Sequence, residues 1–132
     1  MEQRDYILRE IEKIGAMLSA LLFGVNYNSI KLETQIENAK EMMLNETNFD
    51  LYKFLDFNTE EANKYICGFK EFNNNNIELL ANCLFQIGFS DNCDNPQKYL
   101  EKSLQLYELC NTNSQTFSFE RETNIKEIKN AL

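Results

Sequence analysis

The stretch Asn76-Ile77-Glu78-Leu79-Leu80-Ala81-Asn82-Cys83-Leu84-Phe85-Gln86-Ile87 decides how this chain folds. Ile77, Leu80, Ala81, Leu84 and Ile87 recur at helical spacing and make one apolar face. Leu79 and Cys83 cover much of the opposite side, which leaves Glu78, Asn82 and Gln86 as a narrow polar stripe. A helix that is apolar on nearly every side has to be enclosed by several neighbours. This segment is therefore expected at the centre of the fold, with the other helices packed around it.

The flanking sequence supplies those helices. Upstream, Ile7, Ile11, Ile14, Leu18 and Leu21 form one stripe and predict a helix over Gln3 to Phe23, with Gly24 as its stop. Gly15 inside it costs about 1 kcal/mol relative to alanine, and with Ser19 it makes a small flank where another helix can approach. After a turn at Val25 to Asn28, Leu32, Ile36, Ala39 and Met43 predict a second helix over Ser29 to Leu44. Its other side carries Glu33, Glu37 and Glu41 in line. A di-metal bundle site needs Glu-x-x-His partners, and the chain has no histidine, so this line reads as a solvated face.

The segment Asn48 to Phe57 is dense in aromatic residues (Phe49, Tyr52, Phe54, Phe57) and predicts one short helix. Asn58 and Glu61 have the spacing of a capping box for a helix from Thr59 to Phe69, supported by the Glu60–Lys64 pair one turn apart. The four asparagines Asn73 to Asn76 favour a turn and cap over a helix interior.

Downstream, the loop Gly88 to Asn95 contains Ser-Asp-Asn-Cys-Asp-Asn, which evokes a calcium loop, but Cys93 and Pro96 stand where oxygen ligand and glycine are required. It is expected instead to lead into a helix capped by Asn95, opened by Pro96 and running to Asn111 on Leu100, Ser103, Leu104, Tyr107 and Cys110. A last helix, Gln115 to Ala131, has a narrow stripe of Phe117, Ile125, Ile128 and Leu132. One packed side and one wet side suit the terminal cap of a helical array.

Composition agrees with a single helical domain over residues 1–132: four glycines and one proline leave few places where a helix must stop. Thirteen basic against twenty-one acidic residues give a net charge of −8, which opposes phosphate backbones and anionic lipid. No nucleic-acid or membrane partner is expected. The apolar run Ala16 to Phe23 is preceded by Glu2, Asp5, Glu10 and Glu12, which outnumber the basic residues where a secretory signal would put net positive charge, and it is shorter than the ~20 residues of a membrane span, so a cytoplasmic location is expected. Cys67, Cys83, Cys93 and Cys110 contain no Cys-x-x-Cys pair, and without histidine no ordinary zinc site forms. They are expected to be buried, reduced thiols, and no metal or cofactor is expected.

Two helix pairs share a pattern. Ile14-Gly15, Leu18 and Leu21 correspond to Leu80-Ala81, Leu84 and Ile87, and Leu32, Ile36 and Ala39 to Leu100, Leu104 and Tyr107. On these residues the chain resembles the tetratricopeptide repeat, whose period is near half the offset between the pairs. The resemblance implies six to seven helices in antiparallel hairpins forming a right-handed array. The opening Gln3-Arg4-Asp5-Tyr6-Ile7-Leu8-Arg9-Glu10-Ile11-Glu12 also resembles that of an uncharacterised bacterial family of short helical proteins, which implies the same all-α fold and no activity.

The function expected from these features is a non-catalytic protein-interaction module, an adaptor or scaffold, taking a protein or peptide partner. Candidate contacts are Arg4, Asp5, Tyr6 and Arg9 at the opening and the stripe Glu78, Asn82 and Gln86. A homodimer built on the aromatic segment or the last helix is the alternative, and a small-molecule-binding helical protein a further one. An enzyme is disfavoured, because without histidine the usual general base is missing and no glycine-rich phosphate loop occurs.

Overall fold

A computed structural model describes residues 2–27, 31–114 and 116–132. Among the described residues the chain is all-α, with seven helices: α1 Glu2–Tyr27, α2 Leu32–Thr47, α3 Leu51–Asp56, α4 Thr59–Cys67, α5 Asn74–Gly88, α6 Pro96–Asn113 and α7 Phe119–Ala131. Helices α1 and α2 run antiparallel, as the proximity of Gly24 to Gln35 and the Lys13–Glu46 ion pair at the other end require. Helices α5 and α6 do the same: Ser103 Oγ donates to the Ala81 carbonyl at 2.8 Å, while Gly88 abuts Leu100. The first helices of the two hairpins lie parallel in direct contact. Asn76 of α5 reaches the Ile11 carbonyl of α1, and Cys83 Sγ reaches the Leu18 carbonyl one register further along both.

Helix α5 is the central element, as its sequence predicts. Ile77, Leu80, Ala81, Cys83, Leu84 and Ile87 are all buried, and the core continues through Ile14 and Leu18 of α1, Met43 of α2, and Leu106 and Tyr107 of α6. Burying each large side chain contributes about 1.5–3 kcal/mol. The aromatic segment is part of this interior. Phe49 sits 4.8 Å from the Phe72 ring and 5.2 Å from Tyr65 and Phe69, and Phe54 closes the cluster at 5.4 Å. Asn48, with φ 66°, turns the chain out of α2 and delivers Phe49 inward. Asp50 then caps α3 and receives Tyr65 as a hydrogen-bond partner on its backbone N–H at 3.0 Å.

Several helix ends differ from the sequence expectations, each for a tertiary reason. Helix α1 continues through Gly24 to Tyr27: Leu22 and Val25 still pack on the core, and Gly24 faces Gln35 so closely that a Cβ there would meet its Oε1 at 3.0 Å. The expected start of the second helix at Ser29, and the turn residue Asn28, lie outside the described residues. Helix α2 runs on to Thr47, whose hydroxyl donates back to the Met43 carbonyl at 2.7 Å. Asn74 to Asn76 form the first turn of α5 because Asn73 caps it, accepting from the Asn76 N–H at 2.9 Å. Asn95 makes no side-chain cap to α6, and α6 extends to Asn113. Helix α7 begins at Phe119 rather than at Gln115, itself outside the described residues, since Ser118 caps it through the Arg121 N–H. Phe117 and Leu132 are consequently exposed, and Arg121 takes the packed position beside Ile125 and Ile128.

Candidate functional site

Of the residues expected to meet a partner, Asp5, Tyr6 and Arg9 lie exposed on α1, while the Arg4 side chain lies outside the described residues. The stripe on α5 is engaged within the chain. Glu78 pairs with the buried Arg121 of α7, whose Nε also donates to Asn111 Oδ1 at 2.6 Å and whose Nη2 donates to the Thr116 carbonyl at 2.9 Å. Asn82 Oδ1 accepts from the Tyr107 hydroxyl at 2.5 Å, and the Tyr107 hydroxyl oxygen in turn accepts from Asn124 Nδ2 at 3.1 Å. Burial drives the Tyr107 phenol far above its ordinary pKa, so it remains a donor. Gln86 is half-buried. No hydrogen bond or ion pair among the described residues joins the α1 set to the α5 stripe, and the stripe fastens α6 and α7 to α5.

A more open arrangement lies where the start of α2, helix α3, the loop 92–95 and the start of α6 meet around a cleft of about 390 Å³. Its floor is apolar, made by Leu32, Ile36 and Leu55, which the hairpin core holds in place. Tyr52 of α3 and Tyr99 of α6 wall it, and Glu33, Asp56 and Asp94 bring carboxylates to it. Helix α3, only six residues long, is held by the Asp50 cap and by its buried Leu51 and Phe54, and this fixes Tyr52 at the edge. The Tyr52 hydroxyl donates to Glu37 at 2.6 Å, and Lys40 Nζ lies 5.1 Å from the centre of its ring.

The hydrogen bond to Glu37, helped by burial, pushes the Tyr52 phenol up to about 12. Burial raises Tyr99 as well. The Cys93 thiol, also on the cleft wall, is raised chiefly by burial, with the Asp94 charge adding to it. These groups are protonated at neutral pH and offer donors and apolar faces, not nucleophiles. Lys98 Nζ sits 2.5 Å from Asp56 Oδ1, whereas Glu33 and Asp94 have no ion pair among the described residues. Three carboxylates against one ammonium leave the cleft acidic.

A second cleft of about 430 Å³ opens beside the start of α1, lined by Tyr6, Glu10, Glu46, Lys70 and Glu71 among others. It engages one of the expected contact residues, Tyr6. Neither cleft is visible as a motif, because each draws its lining from segments far apart in the chain. Two partial signals existed for the first: the line beginning at Glu33 and the polar loop at Asp91 to Asn95.

The cysteines depart from the expectation of uniform burial. Cys83 and Cys110 are buried, Cys93 is half-buried, and Cys67 is exposed. Cys67 lies one residue beyond the packed pair Ala62 and Ile66, which rotates it to the outer side of α4.

No protein-family model matches this chain, no curated protein matches it in sequence, and no solved structure matches it.

Proposed function

We propose that this chain is a non-catalytic protein-interaction module that receives a segment of a partner protein in the cleft between α2, α3 and α6. The observation that carries this reading is an open cleft with an apolar floor and two tyrosine walls, one of them fixed by the Tyr52–Glu37 hydrogen bond. Apolar depressions edged by tyrosine supply contact area at little entropic cost, which suits recognition. The parallel α1–α5 contact, with an antiparallel second helix on each, supports a tetratricopeptide-like manner of building the scaffold. The net charge of −8 speaks against nucleic acid as the partner, and four free cysteines agree with a cytoplasmic setting. No described helix is long and apolar enough to cross a membrane.

The test is affinity capture from cells with the native chain and with Tyr99→Ala in parallel. A companion protein held by the native chain and lost from the variant is expected. Equal recovery on both, or no companion on either, overturns the assignment to this cleft.

A homodimer is the second reading, and one observation favours it: the groove between α1 and α2, lined by Met17, Ala20, Leu21, Ala39 and Met42 with Gly24, Gln35 and Asn38, carries no charge. The aromatic segment does not supply such an interface, since Phe49 and Phe54 are wholly interior. Mass in solution separates the two: a monomer is expected of the interaction module, a tight dimer of the alternative.

A further inference from the structure

We infer that the segment received by the α2–α3–α6 cleft is basic, a short stretch of another protein with lysine or arginine beside an apolar side chain. This inference rests on the interaction reading of the same cleft.

Among the described residues, Glu33 and Asp94 stand at the cleft without ion-pair partners, and Asp56 pairs with Lys98. A neutral or acidic occupant would cover these carboxylates without compensation, and desolvating an unpaired carboxylate is costly. A lysine or arginine in the occupant replaces the lost water with a charge-assisted hydrogen bond.

The walls agree with the rim. Lys40, which does not line the cleft, lies 5.1 Å from the centre of the Tyr52 ring, so a tyrosine of this cleft already holds an ammonium near its ring. The Tyr99 ring, half-buried on the other wall, presents the same kind of surface to an incoming cation. Leu32, Ile36 and Leu55 then take the apolar neighbour of that cation. At longer range the net charge of −8 attracts basic segments and speeds their encounter.

The probe is a capped twelve-residue peptide in which lysine alternates with leucine and serine. Two companions carry glutamine or glutamate in place of every lysine. Binding is followed by fluorescence anisotropy and by backbone amide shifts of the full chain. The lysine peptide is expected to shift Glu33, Tyr52, Asp94 and Tyr99, and to weaken as salt is raised. Its affinity should fall about tenfold or more in the Glu33→Gln/Asp94→Asn double variant and stay unchanged in Glu41→Gln, whose exposed carboxylate lies outside the cleft. Circular dichroism and melting of each variant check that the fold is kept.

If the glutamine peptide shifts the same residues as strongly as the lysine peptide, the basic occupant is wrong and the interaction reading survives. If the lysine peptide shifts residues scattered over the acidic surface, or binds the double variant equally, the inference is overturned as unspecific charge attraction. If no peptide touches the cleft, the inference is overturned, and the capture experiment with Tyr99→Ala judges the interaction reading on its own.

Discussion

Asn76 lies across Gly15 so closely that a Cβ at position 15 would stand 2.9 Å from Asn76 Oδ1. The amide cannot simply swing away. Its Nδ2 donates to the Ile11 carbonyl at 2.9 Å and to the Glu71 carbonyl at 2.8 Å, and the side chain is buried. Gly15 is therefore the gap that lets α5 dock on α1.

Gly15→Ala gains about 1 kcal/mol of helix propensity and loses more to the clash, for a net destabilisation of about 1–2 kcal/mol. Asn76→Ala removes two hydrogen bonds and costs about 2 kcal/mol. Because the alanine at 76 also removes the obstructing oxygen, the double variant should be more stable than the sum of the two by about 1 kcal/mol or more. Urea unfolding of all four proteins measures this. Strict additivity would mean that the two residues do not meet as described.

Arg121→Met should loosen α7 selectively. The guanidinium is buried and ties together Glu78, Asn111 and the Thr116 carbonyl, while the remaining buried anchors of α7 are Ile125 and Ile128. Loss of about 2–3 kcal/mol is expected, less than for a wholly enclosed pair because Glu78 is one-third exposed and can return to water. Arg121→Lys should recover part of the loss but not the fork of hydrogen bonds. Amide exchange is the decisive measurement: protection should fall across α7 and persist in α5. A uniform loss through both helices would contradict an independently anchored α7.

Stability should decline on the alkaline side. Burial pushes Cys83 up to about 12 and Cys110 up to about 11, and Tyr52 is raised to about 12. The unfolded chain releases these protons near 9 for the thiols and near 10 for the phenol. Between those values and the raised ones, the folded state holds protons that the unfolded state has lost. Their contribution is fully present below about pH 9 and falls as pH rises toward 12. Urea midpoints measured from pH 7 to pH 10.5 should therefore drop above pH 9, and less steeply in Cys83→Ala. A flat profile would refute the burial of Cys83 and Cys110 and the Tyr52–Glu37 hydrogen bond.

Thiol labelling at pH 8 should distinguish the four cysteines. Cys67 is exposed and should react first, Cys93 more slowly, and Cys83 and Cys110 only as the chain unfolds. Peptide mapping after timed labelling gives the order. Early modification of Cys83 would contradict its enclosure between α1 and α5.

Helical periodicity made the central segment legible in the residues themselves, because a helix without a wet side has one physical solution. Gly15 was legible as a packing position for a related reason: glycine in a helix interior is unfavourable unless something needs the space. The fate of the stripe Glu78, Asn82 and Gln86 was not. Polar residues on a buried helix look alike whether they face water or a distant partner, and the partners of Glu78 and Asn82 come from Arg121, Tyr107 and Asn124 far along the chain. The same distance hid the cleft, whose walls Tyr52 and Tyr99 belong to different helices. The helix end expected at Gly24 and the place expected for Phe117 inside the last helix differ because local stop and stripe signals yield to tertiary packing and to the Ser118 cap.

The parallel seating of α1 on α5 has a consequence for the order in which the molecule can assemble. Helix α1 ends at Tyr27, yet the surface that covers Ile14 and Leu18 begins at Asn74. During synthesis the first helix emerges long before its main partner, and α2 is the neighbour that shelters its greasy stripe in the interval. Closing that long stretch of backbone is the slow event to expect in refolding, while the α5–α6 hairpin forms from near neighbours.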